Sequence, residues 1–235
     1  HLKVVDLKIL GLWRHKMEQL ITANVATNLY WFGRYLERIE ATLLEIVTAS
    51  DKIIDTDKEA GVKLFKKLEI DIEYKNTKDF LNVAIFGNHD SNINNLIEYA
   101  RENAIISRAD MYTEAFGSVI ELSNLIKHGS YLPHVDCSFL DEVLSLISSI
   151  WGKLTRRQKR DTSDYFIRLG KLVEKVDFHL RLEKNKEFSL VLMEEIDKIV
   201  SILAPDAVFK PHDEKDSYEV ILNSINAKIN KIIVE

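Results

Sequence analysis

Apolar residues return at i, i+3, i+4 and i+7 along nearly the whole chain. That spacing puts them on one face of an α-helix rather than on one face of a strand. It predicts helices over 22–54, 57–73, 91–110, 112–127, 138–154, 161–184, 187–203 and 215–233, with 74–88 the least regular stretch and room there for a short helix. Only 8 Gly and 3 Pro occur in 235 residues, too few for the turns of a β-sandwich and suited to long helices. The expected fold class is all-α, a multi-helix bundle. The breaks carry turn chemistry: Gly87-Asn88, followed by Asp90 or Ser91 as cap of the next helix; His128 to Pro133; and Ala204-Pro205 through Asp213. No long linker interrupts the pattern, so residues 17–235 read as one domain. Residues 1–16 read as an N-terminal extension, a vector-derived remnant or a fragment of something longer, since the chain starts with His1 and Met17 is a plausible natural start.

Charge and cysteine content narrow the function classes. The net charge of −5 argues against nucleic acid or anionic lipid as a partner. No apolar run reaches the ~20 residues that span a bilayer. The apolar N-terminus is interrupted by Lys3, Asp6 and Lys8 and lacks a small-residue cleavage site, which makes it a poor secretory signal. Cys137 is the single cysteine, so no internal disulfide forms and a cytoplasmic setting is expected.

Two distant stretches share a pattern. Residues 33–40 read Gly-Arg-Tyr-Leu-Glu-Arg-Ile-Glu and residues 170–177 read Gly-Lys-Leu-Val-Glu-Lys-Val-Asp. Each is Gly, a base, two apolar residues, Glu, a base, a β-branched residue and an acid. A duplication with a pseudo-two-fold relation is the simplest account. On a helical wheel, Leu29, Phe32, Leu36, Ile39, Leu43, Ile46 and Val47 form the first stripe, with Glu40 inside it and Glu37 at its edge near Tyr30. Arg34 and Arg38 fall on the opposite, solvent side. In the second helix Leu169, Leu172, Val173, Val176 and Leu180 form the stripe, with Asp177 inside its edge and Glu174 just beyond. Gly33 and Gly170, unfavourable inside a helix, signal close approach of another backbone or a ligand.

Buried carboxylates need partners. In 91–111 the apolar face is Ile93, Leu96, Ile97, Ala100, Ala104 and Met111, and Arg101 and Arg108 fall within it beside the small alanines. The expectation is a cluster in which Glu40 and Asp177, with Glu37 and Glu174 nearby, meet Arg101 and Arg108 through bidentate hydrogen bonds.

The run Ala26-Thr27-Asn28-Leu29-Tyr30-Trp31-Phe32-Gly33-Arg34-Tyr35-Leu36-Glu37-Arg38-Ile39-Glu40 resembles the opening signature of the bacterial alpha-E domain. Ala100-Arg101-Glu102-Asn103-Ala104 with Ser107-Arg108, and Phe166 through Asp177, are similar to its central and third motifs, in the family's order over roughly residues 22–184. The resemblance implies an all-helical domain named for its acidic residues and commonly encoded beside an ATP-grasp ligase-like protein and a transglutaminase-like cysteine peptidase. It thereby implies a role in making, attaching or removing a peptide or amino-acid tag. Lys171 and Lys175 stand where arginines are usual in the family, and the part after residue 205 is short.

The candidate ligand- or partner-contacting residues are therefore Tyr30, Trp31, Arg34, Glu37, Glu40, Arg101, Glu102, Asn103, Arg108, Glu174 and Asp177. Three roles compete: ion pairs that fix helix register, a pocket for a peptide, amino acid or nucleotide, and a metal- or carboxylate-dependent helical enzyme. The i, i+3 acid pairs Glu37/Glu40 and Glu174/Asp177 suit di-metal bundles, but the histidines of such bundles are missing and arginines repel a cation. His89-Asp90, His134 with Asp136 and Cys137, and His212-Asp213 lack zinc-ligand spacing and read as solvated loops. Cys137 reads as a small buried or half-buried side chain. The run Lys153 to Arg160 is a local basic patch, and no Gly-rich phosphate loop occurs. The reading is an accessory module, non-catalytic alone, without a cofactor.

Overall fold

The computed structural model describes residues 21–155, 161–184, 186–206 and 216–233. Among these the helical period wins throughout. There are nine α-helices and no strand: α1 (Ala23–Asp55), α2 (Ala60–Lys67), α3 (Thr77–Phe86), α4 (Ile93–Ile106), α5 (Thr113–Gly129), α6 (Cys137–Leu154), α7 (Thr162–Arg181), α8 (Lys186–Leu203) and α9 (Tyr218–Ile232). No helix of the described residues is long and apolar enough to cross a membrane.

The 33-residue α1 is the axis of the bundle. Thr22 caps it, its side chain accepting from the Val25 N–H, and its stripe of Leu29, Phe32, Leu36, Ile39, Leu43 and Ile46 is fully buried. Helices α7 and α4 lie along it, with α2, α3 and α6 against its flanks. Helix α5 bridges α4 and α6, α8 covers α7, and α9 rests on α7 and α8. The predicted face of α4 (Ile93, Leu96, Ile97, Ala100 and Ala104) is buried, as is Met111.

Helix ends depart from the periodicity for identifiable reasons. The 57–73 pattern stops at Lys67, because Glu69 takes a left-handed conformation (φ 62°). The Glu69 and Ile70 N–H groups then return to Lys66 O and Phe65 O. Helix α7 ends the same way: Glu183 has φ 54°, and the N–H groups of Glu183 and Lys184 return to Leu180 O and His179 O. Both are Schellman closures, with Glu where Gly is the usual residue. The irregular stretch 74–88 holds α3, capped by Asn76. The cap of α4 is Asn92 rather than Asp90 or Ser91: its Oδ1 accepts from Asn95 N at 3.1 Å while its amide is anchored on Gly87 O. Helix α4 ends at Ile106, and a 3₁₀ turn spans Arg108–Asp110.

His89 is not a solvated loop residue. It is half-buried against Phe65, and its Nε2 lies 3.0 Å from Val83 O. Asp136 caps α6 by accepting from the Phe139 N–H. Cys137, expected to be buried or half-buried, is exposed in that helix's first turn. The extension 1–16, residues 156–160 of the basic run, and His212-Asp213 lie outside the described residues.

Candidate functional site

Helices α1 and α7 cross at Gly33 and Gly170, and the crossing is reciprocal. A Cβ on Gly33 would sit 2.1 Å from Ile167 O and 3.1 Å from Lys171 N. A Cβ on Gly170 would sit 2.0 Å from Tyr30 O and 3.0 Å from Arg34 N. Each glycine thus faces the residues three before and one after the other. No side chain fits in either place, so the ~1 kcal/mol that a mid-helix Gly costs relative to Ala is accepted at both.

This closeness turns the bases beside the glycines toward the opposite helix. Arg34 Nε and Nη2 each lie 2.7 Å from Glu174 Oε2, and Nη2 is 3.5 Å from Asp177 Oδ2. Arg38 adds Nε to Glu174 Oε1 at 2.5 Å and Nη2 to Oε2 at 3.1 Å. Across the crossing, Lys171 Nζ lies 3.4 Å from Glu37 Oε2 and 3.8 Å from Glu40 Oε2. A third helix completes each side. From α6, the Trp151 Nε1–H donates to Glu40 at 2.8 Å, with Lys171 Nζ 3.7 Å from the centre of the Trp151 ring. From α9, the Tyr218 hydroxyl donates to Asp177 at 3.1 Å, where Arg181 Nε also arrives at 3.2 Å.

The electrostatics follow from burial. Glu174, Glu37 and Asp177 are 1%, 4% and 5% exposed. Burial pushes the Glu37 carboxyl above the ordinary glutamate range, and Lys171 only partly opposes it. Lys171 makes an ion-pair contact, yet Glu37 Oε2 has no hydrogen-bond partner. Burial works against the Arg34 charge, but Glu174, with Tyr30 and Asp177, outweighs it and holds the guanidinium more firmly protonated. Arg34 also lies over the rings of Trp31 and Tyr30, 5.1 and 6.0 Å from their centroids. Tyr30 is held protonated chiefly by burial, against the pull of Arg34.

Beside Glu174 and Asp177 a cavity of about 210 Å³ opens between α1, α7, the 68–70 turn and the 90–91 turn. Its lining combines Arg38 and Arg181 with Glu69, Asp90, Glu174 and Asp177, and includes the apolar Leu68, Ile70 and Phe178. Thr42 also lines it, is 1% exposed, and its hydroxyl has no hydrogen-bond partner. Among the described residues no group of three or more His, Cys, Asp or Glu is placed to hold a metal ion.

The expected acids are all here, but the expected cations are not. Arg101 sits at the surface and pairs with Glu98 at 3.3 Å. Arg108 is exposed, over the Phe116 ring at 5.4 Å. Glu102 is exposed, and the Asn103 side chain donates to Tyr99 O on its own helix. The fully buried Ala100 and Ala104 lie on the face that α4 turns to the core, and α4 packs on α1, so their small size admits a helix rather than guanidinium groups. The cations come instead from Arg34 and Arg38, assigned above to solvent, and from Lys171. Trp151, Arg181, Tyr218 and Thr42 went unnoticed. Arg181 had a signal, four residues after Asp177 on one helical face, whereas Trp151 and Tyr218 come from distant helices and had none.

Over residues 21–229 the chain matches the Alpha-E family, described as a predicted alpha-helical domain with a conserved ER motif. The chain belongs to the Alpha-E family. The only Glu-Arg dipeptide in this Alpha-E domain is Glu37-Arg38, so the family's motif falls on the crossing, where Glu37 is buried and Arg38 holds Glu174. No curated protein and no solved structure matches the chain.

Proposed function

We propose that this Alpha-E domain is a binding module, non-catalytic alone, that presents a peptide or amino-acid ligand to a partner enzyme. The observation carrying this reading is the cavity beside Glu174 and Asp177. Groups of both charge signs converge there on a part-apolar wall, and a buried hydroxyl is left without a partner. Sites for small polar ligands combine these elements, and the Thr42 hydroxyl offers a ligand an uncommitted hydrogen-bonding atom on the cavity wall. Peptides and amino acids offer both charge signs on an aliphatic frame, which suits such a lining. The partners that fit are an ATP-grasp-type ligase-like protein and a transglutaminase-like peptidase, enzymes that make or break amide bonds on such ligands. A bacterial, cytoplasmic setting belongs to the same reading.

Calorimetry with a panel of neutral, acidic and basic tripeptides tests it, run on the parent protein and on Ser91→Phe, which places a ring at the cavity mouth away from the crossing. Saturable binding by the parent, lost in Ser91→Phe at unchanged melting temperature, is the expected result. Equal binding by both proteins, or binding by neither, overturns the proposal. Co-purification with the ligase-like protein, weakened by the same substitution, is the expected outcome for the partner.

A further inference from the structure

The cavity's groups are unequal in their commitments. Glu174 is held by Arg34 and Arg38, and Asp177 by Arg34, Arg181 and Tyr218. Glu69 and Asp90 both line the cavity and are exposed, and among the described residues neither carboxylate is engaged by a hydrogen bond or ion pair. Four carboxylates line the cavity against two guanidinium groups, and Arg34 behind them reduces that negative excess without cancelling it. Leu68, Ile70 and Phe178 supply an apolar wall, and Thr42, nine-tenths buried and more, contributes the unpartnered hydroxyl. Hydroxyls inside helices commonly bond the carbonyl four residues back; this one does not.

We infer that the cavity is a site for an aliphatic ammonium group, its charge set between the free carboxylates of Glu69 and Asp90 and its methylene stem against Leu68, Ile70 and Phe178. The inference rests on the reading of this cavity as a binding site and names the group that fills it. A charged nitrogen with several N–H donors satisfies two carboxylates at once. The stem gains from burial against the apolar wall, and the Thr42 hydroxyl accepts or donates as the ligand's remaining polar atom requires. An anionic ligand meets the opposite field, since the arginines that would receive it already carry buried carboxylates. Glu69 occupies the left-handed position (φ 62°) that closes α2, and this turn sets its carboxylate on the cavity lining. The ammonium source is a free diamine or the lysine side chain of a peptide, and the probes separate these.

The experiment is calorimetry on the full chain with three probes: cadaverine, Nα-acetyl-lysine methylamide and its norleucine counterpart, which keeps the stem and lacks the ammonium. One or both amines are expected to saturate a single site, with the norleucine compound silent; the tighter of the two identifies the source. Glu69→Gln with Asp90→Asn should weaken the amine by about tenfold or more. Glu69→Gly should weaken it while leaving the melting temperature unchanged or higher, because the cap is relieved as the carboxylate is lost. Norleucine binding equal to lysine, full affinity in the double variant, or no binding by either amine overturns the inference. The tripeptide panel with Ser91→Phe then decides the broader reading separately: neutral or acidic peptides that bind the parent and not Ser91→Phe leave a binding module whose ligand is not an ammonium.

Discussion

The two sides of the α1–α7 crossing start from the same local sequence pattern and end differently. On one side Glu37 and Glu40 receive Lys171 and the Trp151 indole, and the large ring completes that side. On the other, Glu174 and Asp177 receive three arginines, and the third helix contributes only a phenol at its edge, leaving a cavity. Gly-base-x-x-acid therefore fixes where helices meet and where their charges lie. Whether the result is a lock or a pocket depends on the side chain that a third helix inserts.

The comparison breaks most sharply at the glycines. Gly33→Ala and Gly170→Ala each drive a Cβ into a backbone carbonyl, which no rotamer change relieves. Each should cost about 3 kcal/mol or more in urea unfolding, and the double variant should cost less than the sum because one separation of the helices accommodates both. Tolerance of one alanine alone would show that the crossing is not reciprocal. Next come the acids. Glu174→Gln leaves two guanidinium groups without their carboxylate and should cost about 3 kcal/mol. Glu37→Gln should cost much less, because burial already opposes the Glu37 charge. Equal losses would mean the two sides are energetically alike.

Acid–base behaviour sharpens the same contrast. With its folded-state pKa raised, Glu37 binds its proton more tightly when folded, so its contribution is fully present below the unfolded value of about 4.3. That contribution is lost as pH rises through the folded pKa. Glu37→Gln should flatten stability against pH in that window, as read by denaturant midpoints. The smallest effects belong to the third helices. Trp151→Phe should cost about 1–2 kcal/mol through the lost hydrogen bond to a part-buried carboxylate. Tyr218→Phe should cost less, since Tyr218 is 38% exposed.

Much of this arrangement was legible in the sequence. The period of apolar residues gave the helices, and the two glycines and four acids stood out because they recur in one order. What failed was the choice of partners. A helical wheel assigns Arg34 and Arg38 to solvent because it describes one helix against one core. A crossing at backbone contact brings the second helix close enough that residues flanking the apolar stripe meet it too. Arg101 and Arg108 misled for the converse reason, because small neighbours were read as room for guanidinium groups when that room belonged to α1. Helix ends at Lys67 and Arg181 were overrun because glutamate, at Glu69 and Glu183, occupies the left-handed closing position without the glycine that usually announces it.

The glycine crossing also limits how the domain can respond to anything it holds. Ordinary helices slide by letting side chains swap between grooves, each small shift exchanging one set of contacts for another. Here main chain bears directly on main chain at Gly33 and Gly170, and there is no such intermediate layer to shear. The crossing acts as a fixed fulcrum, so a molecule entering the cavity meets a wall of α1 and α7 whose spacing is already set, and any adjustment falls to side chains lining it, such as the exposed Glu69 and Asp90.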